Sequence, residues 1–361
     1  MKLVKETKRI LLGEENKSTN KKLHYLAWAL IFLFAAIYAF MSINKHRLFE
    51  TYGWDLGVFD HGIWQWSQFR IPYSSFHDLP WLADHFHPIL ILIVPFYWIF
   101  PNVNVLVAIQ AVLTAFGAVP LYYLSKKVTK HRLFGLVLVA GYLLFYSLQW
   151  HTFSGFHATA FLPLTLGGVL YFWETKNKKY YWASFTLALL VKEDVGLLLA
   201  AFGLWALLSD RYRWRQALLT IILGIAYTFF LVGFVMPAIG EGYYRHSGLG
   251  QLGETPSEVV FSVVKNPLLL IKAFIDSPTK IRTMFITFWP WGFLPIFAPT
   301  TLILAFEQFA SRFLDYAKII RWTPYFAYSL PMATIMAWGT IYGFNNLVNF
   351  LGKKMRLKKY L

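Results

Sequence analysis

Apolar runs separated by short polar breaks occupy most of the chain, and their lengths set the reading. Residues 24–44, 103–125, 133–150 and 216–238 each come near the about 20 residues that an α-helix needs to cross a bilayer. Residues 158–173, 283–298, 300–314 and 324–349 are further apolar runs, with Pro299 joining the middle two as a short pair. Residues 89–100 are bounded by Pro88 and Pro101 and are too short to span, which suits an interfacial or re-entrant helix. Between Lys179 and Arg211 the chain is apolar except at Lys192, Glu193 and Asp194. A single helix would strand these charges near the bilayer centre, at a few kcal/mol each, so two short arms turning at the triplet are expected instead.

The pattern predicts an all-α polytopic membrane protein of about ten transmembrane helices, forming a single membrane domain over residues 1–361. Residues 1–23 form a polar tail that resembles an uncleaved signal anchor. Residues 45–101 form a large first outer loop with short interfacial helices. Residues 239–281, with Glu241, Arg245, His246, Glu254, Glu258, Lys265 and Lys272 among broken apolar patches, form a second outer segment of amphipathic surface helices. Residues 350–361 are a basic tail. There is no internal repeat.

Composition agrees, at 57% hydrophobic and 14% charged, which leaves little room for an ordinary soluble domain. A net charge of +16 raises the question of nucleic acid. The basic residues, however, sit between apolar runs, as the positive-inside rule distributes them, so the expected partner is the lipid bilayer and not nucleic acid. The same rule places both termini in the cytoplasm of a plasma-membrane protein. With no cysteine, disulfides and thiolate chemistry are excluded.

Candidate chemistry gathers after the first span. Asp55 and Asp60 are five residues apart, about 140° round a helix, so they are not a paired-carboxylate site on one face. Asp55 is placed to cap a helix running through Ile63, Trp64 and Trp66, and a capping carboxylate stays ionised and available as a base. Asp60 reads as nearer to structural, with substrate contact as its other role. Asp84, His85 and His87 offer a carboxylate and two imidazoles; with Asp55 they are candidates for a divalent cation, for phosphate contacts, or for ordinary interface histidines. His157 in the next outer loop carries the same ambiguity. Lys192, Glu193 and Asp194 are either a functional ion cluster or a self-neutralising turn, and the two-armed reading turns them toward the same leaflet as Asp55.

Four motifs carry a resemblance: Asp55 to Asp60 (DLGVFD), Asp84 to Pro88 (DHFHP), Gly155 to His157 (GFH) and Leu190 to Val195 (LVKEDV). They resemble an uncharacterised prokaryotic multi-pass family allied to the GT-C glycosyltransferases, such as protein mannosyltransferases and lipid A aminoarabinose transferases, over roughly residues 52–343. The resemblance implies a GT-C-like fold in which Asp55 matches the acidic residue that acts at the acceptor. His87 and Pro88 are loosely similar to a Lys-Pro-Pro-like motif, and Leu190, Val191 and Lys192 to a Leu-Thr-Lys-Gly-Pro-like turn. Thr159 departs from the pattern, where relatives tend to have an acid.

The function this implies is transfer of a sugar from a polyprenyl-phosphate carrier to an acceptor on the outer face. Asp55 would serve as base, Lys192, His85 and His87 as phosphate contacts, and Glu193 or Asp194 as orienting groups. Phosphate leaves readily, so no second carboxylate acid is needed. Two other classes stand beside it: a transporter or lipid flippase with an intramembrane Lys-Glu-Asp site, and a non-catalytic lipid-binding subunit.

Overall fold

The computed structural model describes residues 17–51, 53–244, 258, 261–262, 265–325 and 327–357. The tail before Lys17, the charged positions Arg245, His246 and Glu254, and residues 358–361 lie outside the described residues. The described chain is almost entirely helical; one two-residue hairpin, β1 (Tyr73–Ser74) with β2 (Leu79–Pro80), interrupts the first loop.

Helix α1 (Lys17–Arg47) is longer than the apolar run alone, because Lys45, His46 and Arg47 in its last turn complement the carbonyl end of the helix dipole. Its large side chains Phe32, Leu33 and Phe40 are exposed, a display suited to lipid and not to water. After it, α2 (Gly53–Ser67) crosses the first loop. The loop continues through α3 (Trp81–Asp84), a 3-10 turn over Pro88–Ile93 and α4 (Val94–Ile99), so the stretch between the two prolines is a short apolar helix, as its length required.

Helices α5 (Val103–Phe116) and α6 (Ala118–Thr129) form one span across Gly117, where a Cβ would strike the Tyr142 hydroxyl and the Pro163 ring. The expected span over 133–150 is broken instead: α7 (Arg132–Leu143) and α8 (Tyr146–Phe153) meet at 43°. The helix also carries past Trp150, so the expected outer loop shrinks to residues 154–157, and His151 is wholly buried.

Helices α9 (Leu162–Glu174) and α10 (Lys178–Leu189) lead to the charged triplet, which is a turn before α11 (Val195–Ser209). Tyr181 and Phe202 lie on opposite sides of that turn, 21 positions apart, yet their rings are 6.3 Å apart. Two arms folded back on each other give that distance; a continuous helix would separate these residues by about 30 Å. Helix α11 then pairs with α12 (Trp214–Phe230) through Gly196 and Gly224, whose backbones approach so closely that a Cβ on either would collide with the other's carbonyl. A π-turn and α13 (Met236–Ile239) complete that span.

Past the second loop, α14 (Leu268–Ile275) and α15 (Pro278–Phe288) precede a departure from expectation. Residues 289–301 are a chain of 3-10 turns and not the rest of a helical crossing. Pro290, Pro295 and Pro299 each remove a backbone donor, and Gly292 and Phe293 adopt left-handed conformations. Helix α16 (Leu302–Phe313) turns Glu307, Gln308 and Arg312 toward the protein interior. The last helix, α17 (Leu330–Leu357), is the centre of the bundle: Leu330, Met332, Ala333, Ile335, Met336, Ala337, Trp338 and Ile341 are all buried.

Among the described residues, three helices are long and apolar enough to cross a membrane: 20–47, 103–129 and 211–239; the bent α7–α8 pair makes a fourth. The arms α9, α10, α11 and α15 run 13, 12, 15 and 11 residues, shorter than a full crossing, and pack around α17 or against one another. Short helices of this kind are tolerated at membrane depth only where other protein surrounds their ends.

Candidate functional site

At one end of the bundle a cavity of about 400 Å³ opens, and both halves of the chain contribute to its wall. The first loop supplies Trp54 and Asp55 from α2, then His77, Asp84, His85 and His87; the α8–α9 connection supplies His157, and the hairpin tip supplies Lys192 and Asp194. Helix α16 and the following turns add Glu307, Gln308, Arg312, Arg321 and Tyr328.

Asp55 is not the helix cap. Helix α2 begins at Gly53, so Asp55 falls in its first turn, where a carboxylate favours the amino-terminal end of the dipole without satisfying a backbone donor. It is exposed to the cavity, and among the described residues its carboxylate accepts no hydrogen bond. Asp60, one and a half turns later, points elsewhere: it accepts from the Tyr97 hydroxyl at 2.5 Å and does not line the cavity, so its role is to pin α4 against α2.

Glu193 is likewise withdrawn from the cavity. It is wholly buried, with Oε1 accepting from His85 Nδ1 at 2.8 Å and from the Tyr244 hydroxyl at 3.0 Å, and Oε2 from the Phe86 N–H at 3.0 Å. Its carbonyl accepts from the Thr228 hydroxyl at 2.8 Å. Burial pushes its carboxyl up, but the charges of His85 and Lys192 outweigh burial and hold it below the usual range. Glu193 is thus a clamp between the first loop and the hairpin tip, in place of the substrate contact expected of it.

Lys192 pairs with Asp194 at 2.7 Å and stands 3.9 Å from Glu193. Burial lowers its ammonium pKa, and these two carboxylates more than restore it, so the group stays charged. The triplet is therefore a self-neutralising turn whose Lys192 and Asp194 face the cavity.

His87 is buried against Trp81 and Phe59, ring centroids 4.7 and 5.2 Å away, and its Nε2 is buried with no hydrogen-bond partner. Burial, helped by the charge of His85, takes its imidazole down to about 3, against the pull of Glu193 and Asp84, so the ring is neutral at physiological pH. His157 is lowered too, by burial first and against the opposing field of Asp55; His85 and Lys192 add to the lowering. Its backbone N–H donates to Gln110 Oε1 at 2.8 Å, and its ring lies 5.6 Å from that of His151.

The metal shell proposed for Asp55, Asp84, His85 and His87 is not assembled. Asp84 is paired with His77 at 3.4 Å and His85 is turned to Glu193, and among the described residues no three His, Asp or Glu side chains converge to hold a metal ion.

Every residue lining this cavity falls within the stretch of chain that matches a known family. Residues 45–359 match the family described as "Predicted membrane protein (DUF2079)". The chain belongs to that family. No curated protein and no solved structure matches this DUF2079 chain. None of these comparisons links the chain to GT-C glycosyltransferases; that resemblance rests on the four motifs.

Sequence reasoning missed the wall of the DUF2079 cavity made by Glu307, Gln308, Ser311, Arg312 and Arg321. The signal was present. Positions 307, 308, 311 and 312 are spaced to form one polar stripe on a helix, and ionisable residues inside an apolar run mark function by default. Reading 300–314 as a plain crossing hid it.

Proposed function

We propose that this protein is a membrane glycosyltransferase that moves a sugar from a polyprenyl-phosphate carrier to an acceptor on the outer face. The observation that carries the reading is the shared cavity: an unbonded carboxylate, Asp55, and a charged ammonium, Lys192, line one space although 137 positions separate them. Such a transfer needs both groups. Asp55 takes the proton of the acceptor hydroxyl, the acceptor oxygen attacks the anomeric carbon, and the carbon–oxygen bond to phosphate breaks with its electron pair leaving on the carrier phosphate. The single displacement inverts the anomeric centre. Lys192 steadies the departing charge, and neutral His87 and His157 offer hydrogen bonds without adding charge.

The side of the membrane follows from charge. At the end of the bundle away from the cavity, His24 bonds Tyr122, Lys126 lies over the Tyr122 and Tyr123 rings, Tyr123 meets Tyr171, and Arg213 covers Trp173. A basic end is a cytoplasmic end under the positive-inside rule, so the cavity belongs to the outer leaflet. In the ten-crossing path with both termini inside a plasma membrane, every segment lining the cavity comes out on the outer side. That agreement supports counting the short arms as crossings.

The test is transfer from a radiolabelled polyprenyl-linked sugar by the purified protein. Asp55→Asn is expected to lower the rate at least 100-fold and Lys192→Ala about 10- to 100-fold, while both variants keep the wild-type melting profile. Wild-type transfer by both variants would reject these roles, and uptake of the lipid by vesicles without chemical change would replace transfer with transport.

A further inference from the structure

Arg312 has no part in the chemistry just described, yet its guanidinium is a buried charge in the cavity wall. Only 2% of the residue is exposed. Nε donates to the Arg321 carbonyl at 2.8 Å and Nη2 to the Thr323 carbonyl, while Nη1 is buried with no hydrogen-bond partner. Every neighbouring cation has its own carboxylate: Lys192 has Asp194 at 2.7 Å, Arg321 has Asp315 at 2.7 Å, and Lys280 has Asp276 at 2.8 Å. Among the described residues Arg312 has none. Glu307, on the same helix, instead accepts from the Gln308 amide at 2.8 Å. A buried cation without a counter-ion is a strong demand for an anion from outside the chain.

A second donor stands beside it. Arg321 also lines the cavity, and its Nε is buried and unbonded while Nη1 is held by Asp315. The segment that carries it is rigid: Asp315 accepts from the N–H groups of Ala317 and Lys318, and its carbonyl accepts from the Trp322 indole. Buried Lys280 lies 4.0 Å from the centre of the Trp322 ring and 4.2 Å from that of Tyr316. Two guanidinium groups with spare N–H donors, fixed before any ligand arrives, are the geometry that binds phosphate oxygens in preference to a point charge.

We infer that Arg312 and Arg321 form a phosphate seat in this cavity, and that they, and not the already neutralised Lys192, provide the principal counter-charge to a phosphoryl ligand. The inference deepens the donor reading above and rests on it only for the lipid attached to the phosphate; the seat itself does not require transfer.

The experiment uses the full chain in lipid nanodiscs, with thermal unfolding and intrinsic tryptophan fluorescence as readouts. The probes are a short-chain polyprenyl phosphate, the corresponding polyprenyl alcohol, and inorganic pyrophosphate. The phosphate is expected to bind and to raise the melting temperature, the alcohol to bind at least 10-fold more weakly. Arg312→Gln should weaken phosphate binding at least 10-fold, Arg312→Lys should restore part of it, and Lys192→Ala should cost less than Arg312→Gln. Pyrophosphate binding as tightly as the lipid would show that the phosphate alone is the ligand; preference for the lipid would show a lipid-borne one, and both outcomes support the seat. Should Arg312→Gln fail to fold, Arg321→Gln reads the same loss. Failure of the wild type to bind either phosphate probe, or unchanged affinity in the folded variants, would overturn the inference. Phosphate binding without sugar transfer would leave the seat standing and remove the transferase reading alone.

Discussion

At Glu193 one carboxylate receives three donors, two from adjacent residues of the first loop and one from Tyr244, so removing its charge should unlock all of them. Glu193→Gln leaves His85 and Lys192 facing a neutral amide, and loss of one partner from a buried ionic cluster costs about 3 kcal/mol. The expected result is a melting temperature several degrees lower, with Asp194→Asn, at the half-exposed end of the triplet, costing about 1 kcal/mol or less. His87 gives a pH prediction whose sign is fixed. Its imidazole is held down to about 3 by burial, while the unfolded chain carries histidine near about 6.5. Between those values the unfolded state binds the extra proton, so stability is full above about 6.5 and falls as the pH drops toward 3. Unfolding followed from pH 7 to pH 4 should show that slope, and His87→Asn should flatten it. An unchanged slope in His87→Asn would place the acid sensitivity elsewhere.

The α10–α11 hairpin and the α11–α12 pair are where local sequence spoke most clearly and most incompletely. Three consecutive charges in an apolar run left a turn as the cheaper solution, and the Tyr181–Phe202 contact has that geometry. What the charges do in the turn was not legible, because Glu193 finds its partners in His85, Phe86 and Tyr244, all distant in sequence. The kink between α7 and α8 and the 3-10 path over residues 289–301 were hidden for a related reason: hydropathy counts apolar residues, and broken and continuous helices count alike. The prolines at 290, 295 and 299 were the available warning. Gly196 and Gly224 offer the test at this scale. Each meets the other's carbonyl, so Gly224→Leu should force α11 and α12 apart and deprive the hairpin tip of its support, with a loss of about 3 kcal/mol or more or failure to fold. By contrast Gly233→Ala, in open space on the same span, should be nearly neutral.

For the whole molecule, class was legible in the length of the apolar runs, and the composition of the cavity only in part. Asp55, Asp84, His85, His87, His157, Lys192 and Asp194 were singled out from their polarity within an apolar chain, and the fold brings them to one space. Asp60 and Glu193 were singled out on the same ground, and the fold spends them on Tyr97 and on the loop clamp. Polarity alone does not distinguish a group that serves a ligand from one that serves the fold. The chain contains no cysteine, so sidedness is open to single introduced thiols. Ser75→Cys in the first loop should react with a membrane-impermeant maleimide on intact cells, and Lys178→Cys only after permeabilisation; the opposite pattern would turn the cavity to the cytoplasm.

The central claim, that this cavity holds a lipid-linked sugar phosphate, is tested most directly by locating where the donor is captured. A photoactivatable polyprenyl-phosphate sugar is irradiated with the purified protein and the adducts are mapped by mass spectrometry. Adducts are expected on cavity residues such as Trp54, Leu198 and Ile320, lost when unlabelled polyprenyl phosphate is in excess. Adducts confined to lipid-facing residues such as Phe40 and Phe234, unaffected by that competitor, would contradict the claim.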